Sequence, residues 1–480
     1  MEIRNKRLND DEFRQEREKV LAMWPTGKEV DLDEAVEFHK SLPPSKNHAK
    51  KVAVAKETGA ILTRSDSGVP SIEEQTEYLK YLQDEGECDL LGTIIDSFTR
   101  TGRFEEAEQG LKKSLRTGKW LINGFPIVDY GVAKTRKLVE AVDLPVKLRG
   151  IAPDWRLIAE IGIAAGYTAS AGAPMISFSQ FCRDVPLEIT TRNFQYMYRL
   201  MGYYEEAGVP ILSEISGGVG VLTPNSLTHA IAIIDSLNAA EQGVKNICLM
   251  VHVQGNLAQD VAAIVILPKL CQGYLDRFGY RDVTLTVVST SWSGKFPDDP
   301  AQAFAMICLG VTAAILGKAQ VAHVKTIQEA ITIPKKEANA ASLRVAKKVI
   351  DILKNQKIQL DSKVTEIEMK MQELETKAIV DRVIELGDGD VVIGAIKAVK
   401  LGVLDQVFPT NRYVASRVMG VRDNEGAVRY LDHGNLPFTK EIVDFHRGKI
   451  AEREKAHGKK VDYESIVDDL FAISRGSLVT

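Results

Sequence analysis

Cysteine is scarce and unclustered. The five in 480 residues, Cys88, Cys182, Cys248, Cys271 and Cys308, stand singly with no CxxC pair, so neither a disulfide framework nor a thiolate zinc site is suggested. Charge of one sign is missing too, because 61 Lys and Arg stand against 65 Asp and Glu for a net −4. Nothing marks a surface for nucleic acid or an anionic membrane, and small molecules or proteins are the expected partners. The first twenty residues carry twelve charged positions where a secretion signal needs an apolar stretch, so a cytoplasmic location is expected. The apolar run Phe304 to Gly317 covers 14 residues, short of the ~20 that a spanning helix needs, and reads as a buried helix. What is present is an ordinary globular composition, 45% hydrophobic and 26% charged, with enough chain for a large core.

Residues 1–55 alternate charged helical stretches around the turn LPPSK and carry too few apolar residues for a core of their own. They read as a helical arm packed on something larger. From about 56 to 350, short β-rich runs recur between helical patterns: LLGTII (90–95), LINGFP (121–126), PVKLRG (145–150), YTASAG (167–172), PILSEI (210–215), NICLMVHV (246–253), VTLTVVST (283–290) and AQVAHVK (319–325), with AILTRS (60–65) as a ninth candidate. Strands alternating with helices in this number predict a (β/α)8 TIM barrel. An open doubly wound sheet is the rival, but its glycine-rich loop after the first strand is absent. Residues 351–480 form an α+β extension in this reading. It starts with a long helix whose Ile367, Met371, Leu374 and Ala378 share one face, and it contains a hairpin at VRDNEGAVRYLDHG (421–434).

In a barrel the C-terminal strand ends and the loops after them form the functional face. Arg100, Asn123, Arg149, Glu214, His252 and Lys325 fall at such positions. Two arginines at one mouth would suit a carboxylate or phosphate, although each could equally be a surface ion-pair former. His252, a lone histidine on an apolar strand, reads as a satisfied core residue before a functional one. Lys325 could form an imine with a carbonyl substrate in a cobalamin-independent barrel enzyme, or bind a ribose. The run SGGVGV (216–221) reads as a plain loop, since it lacks the rest of any phosphate-binding motif. Asp444, His446 and Gly448 in DFHRGK approach the DxHxxG signature that presents a histidine to cobalt, but the glycine comes one residue early. No metal ligand is assigned.

Nearly the whole chain resembles the epsilon subunit family of glutamate mutase, also called methylaspartate mutase. The resemblance is carried by MWPTGKEVDL (23–32), YLQDEG (81–86), INGFP (122–126), AEQGVKNI (240–247), VKTIQEAITIPKKEANAA (324–341) and VRDNEGAVRYLDHGNLPFT (421–439). It implies an isomerase whose barrel holds a small acid substrate at its mouth. A separate small subunit, carrying DxHxxG, caps the barrel with adenosylcobalamin and supplies the cobalt ligand. The implied chemistry is radical rearrangement of a carbon skeleton, started by a 5′-deoxyadenosyl radical, and the implied assembly is a dimer of this chain flanked by small subunits.

Carried over residue by residue, the resemblance places Gly68, Asn123, Phe296, Lys325, Glu329 and Ile333 on the cofactor side, with Gln180 in place of a proline. On the substrate side Arg100, Arg149 and Glu214 match, and the remainder departs. Asp66 stands where a third arginine is expected, with Arg64 two residues earlier. Ala171 replaces a glutamate that receives an ammonium, Ser177 and Phe181 replace two tyrosines, Gly150 a histidine and Ser216 a phenylalanine. A retained radical machinery with an acid other than glutamate is therefore expected. The far end of that acid would be neutral, hydroxylated or cationic, with Asp66 as the acceptor of a cation. Authentic glutamate mutase, with Arg64 doing the work of the missing arginine, is the alternative.

Overall fold

The computed structural model describes residues 3–328, 333–358 and 360–479. Eight parallel strands close into a barrel in chain order: β1 (Leu62–Ser67), β2 (Leu90–Ile94), β3 (Val146–Arg149), β4 (Ala169–Ala171), β5 (Leu212–Ser216), β6 (Asn246–His252), β7 (Thr284–Thr290) and β8 (Val321–His323). Closure comes from β1 against β8, with Arg64 beside His323. The (β/α)8 expectation holds, with one strand reassigned. AILTRS supplies β1, whereas LINGFP makes no strand and touches the sheet through a single bridge, Ile95 to Phe125. Asn123, Gly124 and Pro126 explain the exchange. Gly124 packs against the backbone of Asp96, its absent Cβ lying within 2.7 Å of the Asp96 nitrogen, and proline gives no ladder donor.

The floor of the barrel is apolar and plugged from below. Leu90, Ala169, Leu212, Cys248, Met250, Val288 and Val321 pack around Ala49 and Val52 of the helix His48–Thr58, so the third helix of the arm closes the N-terminal end. The first helix, Asp10–Leu21, begins with a capping box of Asn9 and Glu12. It docks through Phe13 on Tyr196, with ring centroids 5.3 Å apart, and through Arg17 on the buried Glu160 at 3.1 Å.

Beyond the barrel, the helix Ser362–Leu386 lies on the helices Asn225–Glu241 and Leu257–Arg277. Its buried face is not the one apolar periodicity suggests. Ile367 is 49% exposed, and the face turned inward carries Glu368, Met371, Gln372, Glu375, Thr376, Ile379, Val380 and Val383. Buried polar bonds set this rotation: Glu368 pairs with Arg429 and accepts from Gln259 at 3.0 Å, and Glu375 meets His446 Nε2 at 2.9 Å. The expected hairpin is present as β9 (Met419–Arg422) and β10 (Val428–Asp432), antiparallel. His446, within DFHRGK, is thus a packed partner of Glu375 on the helix Lys440–His457. Among the described residues no helix is long and apolar enough to cross a membrane, and all five cysteines are free.

Candidate functional site at the barrel mouth

Alternation along a strand sends every second side chain into the barrel. Above the apolar floor that rule gathers charge. Arg64 and Asp66 come from β1, Lys147 and Arg149 from β3, Glu214 from β5 and His323 from β8. Glu214 lies deepest, 1% exposed, and is paired by Arg64 and by Lys147. Asp66 sits nearer the mouth, its Oδ1 3.3 Å from Arg64 Nε and its Oδ2 3.2 Å from Arg149 Nε and 3.0 Å from His323 Nε2. Arg149 also approaches Glu214 at 3.9 Å. Asp66 fits here because residue 92 is glycine. Any Cβ at that position would overlap the Asp66 carboxylate.

Burial opposes the charged form of Asp66, yet Arg64, His323 and Arg149 together hold its carboxyl well below the usual range. Glu214 is likewise held low against burial by Arg64, Lys147 and Arg149. Burial and the field of Arg64 bring Lys147 down to about 7, with Glu214 pulling the other way. His323 is pushed down to about 3 by burial, with Asp66 opposing, and is neutral. Its Nδ1 lies 3.4 Å from the Thr290 hydroxyl, which fits a ring that donates from Nε2 to Asp66 and accepts at Nδ1.

Arg100 reaches the same mouth from the short helix Ser97–Arg100, whose first turn is capped by Asp96 Oδ1 accepting from the Phe98 and Thr99 amides at 2.9 and 3.0 Å. Among the described residues Arg100 has no ion-pair partner, and its Nε is buried without a hydrogen bond. Burial, and then the nearby charge of Arg149, lower its pKa, with Asp96 opposing. Gly150 makes this approach possible. A Cβ there would lie 2.6 Å from the Trp155 ring and 2.8 Å from Arg100 Cδ, so this arrangement leaves no room for the histidine that the resemblance implies.

The other expected residues take separate places around the barrel end. Ala171 is buried beside Glu214 in the β4–β5 register. Ser177 is fully buried in the helix Pro174–Phe181 with its hydroxyl unpartnered, and Phe181 ends that helix half-buried. Neither hydrogen-bonds the charged cluster. Gln180 clasps Val219 through two bonds of 2.8 Å, tying this helix to the loop after β5. Ser216 Oγ lies 3.3 Å from His252 Nε2, and burial with the charges of Arg149 and Lys325 lowers His252 to about 3. Gly68 and Phe296 are buried in loops past β1 and β7, and Lys325 is half-buried two residues past β8. Asn123 is exposed, its Oδ1 accepting from the Ser97 amide at 3.0 Å. Ile333 is half-buried after β8, and Glu329 lies outside the described residues. Sequence reading passed over Lys147 and His323. The available signal was a charged residue two positions before Arg149 and an imidazole two before Lys325, on barrel strands that are otherwise apolar.

The family model for the methylaspartate mutase E chain matches residues 42–480. The chain belongs to the methylaspartate mutase E chain family. The matched span takes in the plug helix, the whole barrel and the hairpin. It is 43% identical to the glutamate mutase epsilon subunit of Desulfitobacterium hafniense (strain Y51) and 44% identical to that of Treponema denticola, each over 100% of this chain and 99% of the relative. The epsilon subunit of Escherichia coli O157:H7 is 39% identical over the same shares. The methylaspartate mutase E chain family is one of mutases, a kind of isomerase, and its member here carries a six-residue polar cluster inside the barrel, with the Arg100 guanidinium above it unpaired among the described residues.

Proposed function

We propose that this chain is the large, substrate-holding subunit of an adenosylcobalamin-dependent carbon-skeleton mutase that works on a small amino or related carboxylic acid other than glutamate. The barrel, residues 56–350, would carry the site, with 1–55 as an arm and 351–480 as an extension. The observation that carries the reading is the pairing state of the two arginines. Arg100 has no ion-pair partner among the described residues and Arg149 is already engaged by Asp66. Arg100, with the Arg149 charge beside it, can grip one carboxylate, a geometry that planar guanidinium groups favour. A second carboxylate would meet Asp66 and Glu214, and like-charge juxtaposition is a strong rejecting device.

The rim chemistry suits the cofactor. Asn123 spends only its carbonyl oxygen within the protein, leaving an exposed amide to donate to ribose hydroxyls or ring nitrogens. Lys325 stands half-buried two residues past β8. Gly68, Gln180, Phe296, Glu329 and Ile333 complete the proposed cofactor side. The two histidines at this end, His252 and His323, are buried among Ser216, Ser293, Asp66 and Thr290. The cobalt ligand would therefore come from a separate small subunit of the DxHxxG type, and two copies of this chain are expected in the assembly. Adenosylcobalamin, when bound, supplies the radical that opens the rearrangement. This chain's share is to hold the substrate ends, to keep His323 neutral and donating to Asp66, and to exclude water from the closed interior.

The second reading is glutamate mutase itself, favoured by full-length relatives of that name at 43% and 44% identity. Reconstitution with a small cobalamin-binding subunit and adenosylcobalamin tests the shared part of both readings. Arg149→Ala is expected to lower turnover at least ~100-fold, as loss of a charge-assisted contact to substrate would, while assembly with the cobalamin subunit is unchanged. Wild-type turnover in that variant would overturn the proposed carboxylate role.

A further inference from the structure

The cluster under the mouth has a property that neither reading requires. Its carboxylate nearest the mouth, Asp66, occupies a prepared place. The side chain is 5% exposed, cationic nitrogens of Arg64 and Arg149 lie 3.3 and 3.2 Å from its two oxygens, a neutral imidazole donates from 3.0 Å, and Gly92 gives up its side chain to make the space. We infer that Asp66 is a built-in counter-carboxylate standing in for a second substrate carboxylate, so that the site takes acids with one carboxylate and an uncharged far end. The inference rests on the reading above that Arg100 and Arg149 hold a substrate carboxylate.

Charge and hydrogen-bond geometry both point this way. Nearest the mouth, Arg100 and Arg149 oppose Asp66, leaving one positive charge, which one carboxylate balances. Below them Arg64 opposes Glu214, and Lys147, brought down to about 7 by burial and by Arg64, is uncharged above that pH, where no cation is left over for a second carboxylate. A cationic far end fares no better, because Arg64, Lys147 and Arg149 all face the carboxylates it would seek. This removes the option that Asp66 receives a substrate cation. A neutral donor remains. His323 takes one lone pair of Asp66 Oδ2, and the lone pairs that remain on the two oxygens can accept from an amide or hydroxyl without a change in net charge.

Glutamine and glutamate are near-isosteres that differ in that far end, and ornithine carries a cation there. Calorimetric titration of the full chain with each is expected to show glutamine binding at least about ten-fold more tightly than either of the others. Asp66→Asn, which keeps the shape and removes the charge, is expected to improve glutamate binding at least about ten-fold and to move glutamine by less than about three-fold. Glutamate binding the wild type as tightly as glutamine overturns the inference, as does ornithine binding most tightly or none of the three binding. The wild-type ranking decides the matter even if the variant does not fold. These titrations need no cobalamin, so the two readings separate. The expected ranking without turnover in the reconstituted complex keeps the inference and removes the mutase, and turnover of glutamate with the ranking reversed does the opposite.

Discussion

The lower and upper halves of one barrel interior are built to opposite rules. Below, Leu90, Ala169, Leu212, Met250, Val288 and Val321 close around a plug of Ala49 and Val52. Above, Arg64, Asp66, Lys147, Arg149, Glu214 and His323 fill the same cylinder with charge. Both layers come from the same eight strands, so the fold does not dictate the difference. The apolar floor gains stability from burial. The charged layer pays desolvation for ions that apolar side chains of similar volume could replace, and buried ion pairs of this kind are weak grounds for stability. Within the barrel interior, their retention at the C-terminal end is what a binding site looks like in energetic terms.

Breaking the charged layer should cost most. Glu214→Ala strands Arg64 and Lys147 without their shared partner and is expected to remove roughly 3–5 kcal/mol of stability in urea unfolding. The floor should respond to volume alone. Leu212→Ala is expected to cost about 2–4 kcal/mol while leaving the ligand ranking unchanged, and a changed ranking would mean that the two layers are coupled. The contrast can be sharpened by pH. Burial and Arg64 lower Lys147 from the ordinary 10.5 to about 7, so between those values the unfolded chain binds a proton that the folded chain does not. Stability contributed through this group therefore rises as pH goes from about 7 towards 10. Lys147→Met should flatten that rise, by an amount of order 2–4 kcal/mol across the window. The smallest effect belongs to Ile367→Ala on the outer helix, expected to stay within about 0.5 kcal/mol because the residue is half in solvent.

Periodicity made seven of the eight barrel strands legible, because a buried parallel strand is a short apolar run between helices. It misplaced the eighth, since LINGFP is as apolar as AILTRS and only backbone pairing distinguishes them. The helix Ser362–Leu386 was legible as an element but not in its rotation, which Glu368 and Glu375 set through partners far away in sequence. The same limit applies at the mouth. Arg100, Arg149, Asp66 and Glu214 could be named in advance from the resemblance. That Asp66 is bound by Arg149 while Arg100 has no ion-pair partner among the described residues is a fact of tertiary pairing, which no spacing rule contains.

Anaerobic EPR of this chain assembled with a small cobalamin-binding subunit and adenosylcobalamin tests the central claim most directly. A panel of amino and hydroxy acids with neutral far ends is set against glutamate. A cobalt(II)–radical signal is expected with a neutral-ended acid and none with glutamate. A signal with glutamate alone, or silence across the panel with a competent small subunit, would contradict the claim.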